Sequence, residues 1–197
     1  MNKVKIMLII LIAVIGAYFI YNHFDKIREQ EKQIDKFSTE YTLLDDKHIF
    51  EYSSIDEVIN IISNGTGIVF LCTPESDWCQ KYALYLNNSL VKYGIDKISY
   101  LNIKSYRQLN TTKYKRLVEL LQDYVYKDDL NESKIVMPDL TFVKNGVIVA
   151  HDNETSLITS DNIPDEYWNQ DKINEFDLKI KGFVDLMNQE LIIEGDD

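Results

Sequence analysis

The chain has 197 residues, 45% of them hydrophobic, and only seven glycines and three prolines. That is enough for one domain with a core plus appendages, and it speaks against extended disorder. The formal net charge of −11 argues against a nucleic-acid partner and against docking on an anionic lipid surface; it reads as an acidic surface that limits aggregation.

Residues 1–5 read as a short cytoplasmic tail. Residues 6–21 are apolar and uncharged, with Lys3 and Lys5 before them and His23, Asp25, Lys26 and Arg28 after. Asn22 and the interfacial Tyr18 and Tyr21 extend the run, so 6–22 suits a transmembrane signal anchor. A cleaved signal peptide is the rival, but residues 18–22 offer no small side chains for cleavage. No cysteine follows the run, which excludes lipoprotein processing. The early lysines place the N terminus inside, giving a single-pass protein of the cell membrane with its bulk extracytoplasmic. Residues 23–47 are charged, with Ile27, Ile34 and Tyr41 recurring every seven. This predicts a helical stalk; Glu31 interrupts its second apolar stripe, leaving only weak self-association as a role.

From residue 48 the pattern is that of a folded domain, 48–197. Residues 49–52 form a short strand candidate. Ser54 caps a helix with Ile55, Val58, Ile59 and Ile62 on one face, closed by Asn64-Gly65. The continuous apolar run 68–72 predicts a central strand covered on both faces. Residues 76–93 read as helix, ended by Gly94, and 97–103 as the next strand. A long helix is expected over 112–126, with Tyr114, Leu117, Leu121 and Tyr124 inward. Pro138 precedes two extended runs, 139–144 and 147–150, joined by Asn145-Gly146, a strong hairpin signal. Residues 152–171 read as a loop and 172–194 as an amphipathic closing helix. Alternation followed by a hairpin and a helix implies an α/β class, a mixed sheet between helices.

Chemistry concentrates at 68–82, where the strand runs into a helix carrying Cys79 in its first turn, with Ser76 three residues earlier. This order, with a thiol after the second strand and a proline opening the hairpin, resembles the thioredoxin-like fold over residues 48–194. The likeness is to membrane-anchored thioredoxin-like proteins of low-GC Gram-positive bacteria, including the bacteriocin-transport accessory type. It rests on Ser76-Asp77-Trp78-Cys79, on Ile98-Ser99-Tyr100-Leu101, and on Met137-Pro138-Asp139-Leu140 with Lys144-Asn145-Gly146. The resemblance implies that Cys79 stands at the resolving position of a Cys-x-x-Cys pair and Ser76 at the attacking one. A competing register makes Cys79 the attacker and Tyr82 the lost partner. The strand acid of that family falls near Phe70, and Pro138 matches its cis proline, so Met137–Pro138 is expected to be cis.

Dithiol exchange needs an attacking thiolate and a second thiol to resolve the mixed disulfide. A serine hydroxyl cannot attack, so Ser76 is better read as an N-cap. Cys79 is then a thiol at a helix N terminus, where the dipole favours thiolate, or an inert buried residue. Cys72, seven residues before, is expected to fill the core rather than to bridge to Cys79. Scattered His23, His48 and His151 lack metal-ligand spacing and read as solvated; no cofactor or metal is expected. The favoured expectation is a peptide- or protein-binding accessory module at the membrane outer face, its groove formed by Ser76, Trp78, Met137 and Pro138. The alternatives are a thiol–disulfide oxidoreductase using Cys79 alone or a Cys72–Cys79 couple, and a structural subunit of an export complex.

Overall fold

The computed structural model describes residues 3–127, 132–158 and 163–189. Its first element is one unbroken helix, α1 (Lys3–Glu40). The N-terminal part of α1 is long and apolar enough to cross a membrane, and its apolar side chains from Ile10 to Phe24 are largely exposed. The other end is different. Phe37 and Tyr41 are fully buried among residues of the domain, and Leu44 is nearly so. The packed body therefore begins about ten residues before the expected boundary at 48. Tyr41, read from its seven-residue spacing as part of a stalk seam, stacks inside the domain instead and is not available for self-association.

β1 (Phe50–Tyr52) leads into α2 (Ile55–Asn64). Ser54 and Glu57 form a reciprocal capping box at the start of α2, and Ile55, Val58 and Ile62 bury its inner face. β2 (Gly67–Cys72) is buried almost throughout, as a central strand must be. α3 (Asp77–Lys92) and β3 (Ile98–Asn102) follow. A short helix not anticipated from the sequence, α4 (Lys104–Gln108), precedes α5 (Thr112–Leu120). α5 stops well before residue 126. Its end tightens into turns, with Tyr124 N–H donating to the Leu121 carbonyl at 2.8 Å. The chain then pairs β4 (Tyr126–Lys127) with β5 (Ser133–Lys134).

The hairpin of β6 (Asp139–Lys144) and β7 (Val147–Asp152) forms as expected. Asn145 and Gly146 both take positive φ, at 51° and 75°. At Gly146 a Cβ would lie 2.6 Å from the Ser63 carbonyl oxygen, so glycine is required there for space as well as for φ. The segment expected as a loop holds a 3₁₀ turn (Glu154–Leu157) and α6 (Pro164–Tyr167); Asp161 and Asn162 lie outside the described residues. α7 (Gln170–Asn188) closes the chain, capped by Asn169; the expected extension to 194 also lies outside.

The five-stranded sheet has the order β1-β3-β2-β6-β7. β1 and β2 run parallel to β3, while β6 is antiparallel to β2 and to β7. This is a mixed sheet flanked by helices. Phe70, Cys72, Tyr100, Leu140 and Phe142 face α3, α7 and the end of α1. Val69, Leu71, Leu101 and Ile103 face α2 and α5.

Candidate functional site

β2 delivers Cys72 to the edge of the core, and the chain reverses at once. The Ser76 N–H donates to the Thr73 carbonyl at 3.2 Å, and the Ser76 hydroxyl then caps α3 by accepting from the Cys79 N–H at 3.4 Å. Asp77 sits in the first turn, where the helix dipole favours a carboxylate. Gln80 ties this turn to the end of α1: its amide donates to the Pro74 carbonyl at 2.8 Å and to the Glu40 carbonyl at 2.7 Å. Glu75 hydrogen-bonds with Thr73, the main cause of its lowered pKa, and pairs with Lys104 at 3.2 Å.

The tight turn brings Cys72 and Cys79 to a Cα–Cα distance of 5.9 Å, and they form a disulfide across seven positions. This corrects the expectation that Cys72 only fills the core and that Cys79 is a lone thiol. The loop of Thr73, Pro74 and Glu75 folds back far enough because its own backbone bond and the Gln80 tether hold it. Both cysteines are 0% exposed. The Thr73 N–H points at Cys79 Sγ from 3.4 Å. No thiolate is present to attack, and no sulfur is open to attack from solvent.

The other expected residues are only partly brought together. Met137–Pro138 is a cis peptide. Pro138 is buried immediately before β6, and half-buried Met137 packs against both sides of the sheet. Trp78 leans edge-on against Tyr167 of α6 at 5.3 Å, and Lys81 binds Asp165 of the same helix at 2.6 Å. The Trp78 end of the expected groove thus carries the chain's own Tyr167. Phe70 stands where the strand acid was sought; it is fully buried and stacked on Tyr82 at 5.6 Å.

Two buried polar networks lie close by that the sequence does not announce. On the α3 face, the Tyr82 hydroxyl donates to Asp152 Oδ2 at 2.6 Å, and Lys179 binds Asp152 Oδ1 at 2.9 Å and also Glu154. Burial pushes the Tyr82 hydroxyl far up, keeping it protonated. On the opposite face, Asp139 pairs with His151 at 3.0 Å, and the two side chains are only 1% and 5% exposed. Tyr124 stacks over His151 at 4.6 Å. His48 is buried as well. Its Nδ1 accepts from the Phe50 N–H at 3.2 Å, which leaves Nε2–H to donate to the Ile34 carbonyl at 3.2 Å. Of the three histidines read as solvated, only His23 is exposed. Alternation along β6 and β7 was the available signal for Asp139 and His151, but it marks a covered face rather than a pairing.

Asp139 is not a proton acceptor for the disulfide. It sits opposite Leu71, whose side chain belongs to the α2 and α5 face, whereas Cys72 faces α3. Its burial raises its pKa, outweighing the lowering by His151. The native state therefore holds this proton at a pH where the unfolded chain has lost it. Stability from this group is present below the unfolded carboxylate range, about pH 4, and is lost as pH rises through the native value. Asp139→Asn removes the titration. Between pH 4 and 6, the stability difference of parent minus variant is expected to fall as pH rises, read from urea midpoints; a flat or rising difference would refute it.

Among the described residues no group of three or more His, Cys, Asp and Glu side chains converges as a metal site would need. Comparison of the chain with protein-family models, with curated proteins and with solved structures finds no match in any of the three.

Proposed function

We propose that the chain is a membrane-anchored, extracytoplasmic thioredoxin-like domain whose redox site is degenerate. In this reading it works as a peptide- or protein-binding module, or as an accessory module of export, rather than as an efficient dithiol oxidoreductase. One observation carries it: the two cysteines are bonded to each other and buried, while the hydroxyl of Ser76 caps the helix at the place of an attacking thiol. The sheet order, the antiparallel hairpin opened by Pro138 and the strand-to-helix turn at Cys79 support the thioredoxin-like reading. Ser76 as the N-cap supports the register that sets Cys79 at the resolving position. The apolar N-terminal helix behind Lys3 and Lys5 supports the anchor and its orientation. The disulfide agrees with an oxidising compartment outside the cytoplasm. Binding is assigned to the surface around Ser76, Trp78, Met137 and Pro138.

A second reading, a Cys72–Cys79 redox couple, draws on the existence of the bridge. Insulin reduction with dithiothreitol as electron source separates the two. The full chain in detergent is expected to reduce insulin no faster than its Cys79→Ser variant. Turnover by the parent that disappears in Cys72→Ala would establish the couple and end the binding-module reading. The Ser76→Cys variant is expected to gain at least about tenfold in rate. Its introduced thiolate, favoured by the helix N terminus, can attack Cys79 Sγ and release the Cys72 thiolate. If Tyr82→Cys gains and Ser76→Cys does not, Cys79 occupies the attacking position.

A further inference from the structure

A cavity of about 210 Å³ lies between Thr155 of the 3₁₀ turn, Trp168 just after α6, and Phe176 and Lys179 of α7. Exposed Glu154 and Glu175 are also in its wall, so it opens to solvent. Two of its residues carry orphaned polar atoms. The Trp168 indole N–H and the Thr155 hydroxyl are buried and have no hydrogen-bond partner among the described residues. Trp168 is only 5% exposed and Thr155 4%. Buried polar groups are nearly always paired, because an unmet donor keeps the full cost of leaving water. Two such groups on one cavity point to an occupant that meets them.

The free groups say of what kind. An indole N–H can only donate, and a hydroxyl can donate and accept. An ammonium has three N–H groups; Asp152 Oδ1, at 2.9 Å, and Glu154 take two of those on Lys179. Each carboxylate of the wall already has a lysine, since Lys172 donates to Glu175 at 2.6 Å. The surplus is of donors, so the occupant must offer an acceptor oxygen. A cation would compete with the lysines for the same carboxylates and leave the indole unmet. An anion would face three carboxylates against two ammonium groups. A neutral carbonyl compound avoids both costs. The rings of Tyr167 and Phe176, packed against Trp168 at 5.1 and 5.2 Å, supply apolar wall for the rest of the molecule. The volume admits about seven non-hydrogen atoms, at the roughly 30 Å³ that a water takes in the liquid.

We propose that this cavity binds a small neutral amide, its carbonyl oxygen accepting from the Trp168 indole and its body against the aromatic rings. The site is separate from the surface at Pro138 and does not depend on it. The test uses the full chain in detergent, labelled with ¹⁵N-tryptophan. Its two tryptophans give two indole N–H signals, and the Trp78→Phe variant assigns the one from Trp168. Isobutyramide is compared with isobutyrate and isobutylammonium, which keep the branched body and change the charge. Isobutyramide is expected to shift the Trp168 signal saturably, with half-saturation at or below about 10 mM, a modest affinity for a molecule this small. Each ion is expected to need at least about tenfold more. Thr155→Val keeps the shape of the side chain and removes its hydroxyl, so it is expected to keep the parent's far-UV circular dichroism and to weaken binding about fivefold or more. Thr155→Ser keeps the hydroxyl and is expected to stay within about threefold of the parent. Absence of a saturable shift would leave the cavity to water only and overturn the proposal. So would an equal response to all three compounds, a preference for either ion, or a shift of the Trp78 signal alone. Undiminished binding by Thr155→Val, or an equal loss in Thr155→Ser, would overturn it too.

Discussion

Phe37→Ala is expected to destabilise the protein by about 3–5 kcal/mol, a large part of the stability of a domain this size. Phe37 is 0% exposed. Its ring stacks on Tyr41 at 4.3 Å and on Phe50 at 4.5 Å, and meets Tyr100 edge-on at 5.0 Å. These partners come from the turn after α1, from β1 and from β3, so the cavity left behind would have rigid walls on several sides and little means of collapse. Phe24→Ala is the matched control. Phe24 is on the same helix but 60% exposed, and its loss is expected to change stability by no more than about 0.5 kcal/mol. Urea unfolding of the full chain in detergent, followed by near-UV circular dichroism, measures both. A Phe37→Ala cost below about 1 kcal/mol would contradict the burial. The same contacts predict that a chain starting at residue 45 fails to hold its native packing, whereas one starting at residue 23 keeps it.

Loss of the Cys72–Cys79 bridge is expected to cost about 2–3 kcal/mol. The estimate is the loop-closure entropy of a ring spanning seven positions. The Cys72→Ala, Cys79→Ala double variant should show it as a lower urea midpoint with an unchanged slope. Kinetics add a sharper criterion. Both sulfurs are buried, so exchange with an external thiolate requires opening of the turn between β2 and α3. Millimolar dithiothreitol is expected to reduce the bridge slowly in native buffer and fast in urea. Rapid reduction in native buffer would mean that a sulfur is accessible, which the full burial of both cysteines forbids.

What could be read from the sequence is local chemistry. The reciprocal cap of Ser54 and Glu57, the covered run of β2, the Ser76 cap and the Asn145-Gly146 turn each depend on residues a few positions apart, and each is found. What could not be read depends on distant partners. The charged surroundings of Phe37 and Tyr41 mark them as stalk, and only Phe50 and Tyr100 make them core. α5 ends at Leu120, where the chain turns toward its pairing with β5, though helical spacing continues through Tyr124. His151 looks like an exposed strand residue until Asp139 and Tyr124 cover it. The cysteine pair falls between these cases: the spacing of seven was visible, but the backbone reversal and the Gln80 tether to Glu40 were not.

The absence of a break in α1 has a mechanical consequence. Between Asn22 and Phe37 the helix rises roughly 20 Å at 1.5 Å per residue. Where residues 6–22 cross a bilayer, that length works as a lever arm with no joint, clamped at its far end by Phe37 and Tyr41. A domain on a flexible tether averages away the orientation of its anchor. Anchored in that way, this one would inherit it. Tilt of the spanning segment, which varies with bilayer thickness, would swing the whole sheet through the same angle, so the lipid environment would set the attitude in which the domain meets its surroundings.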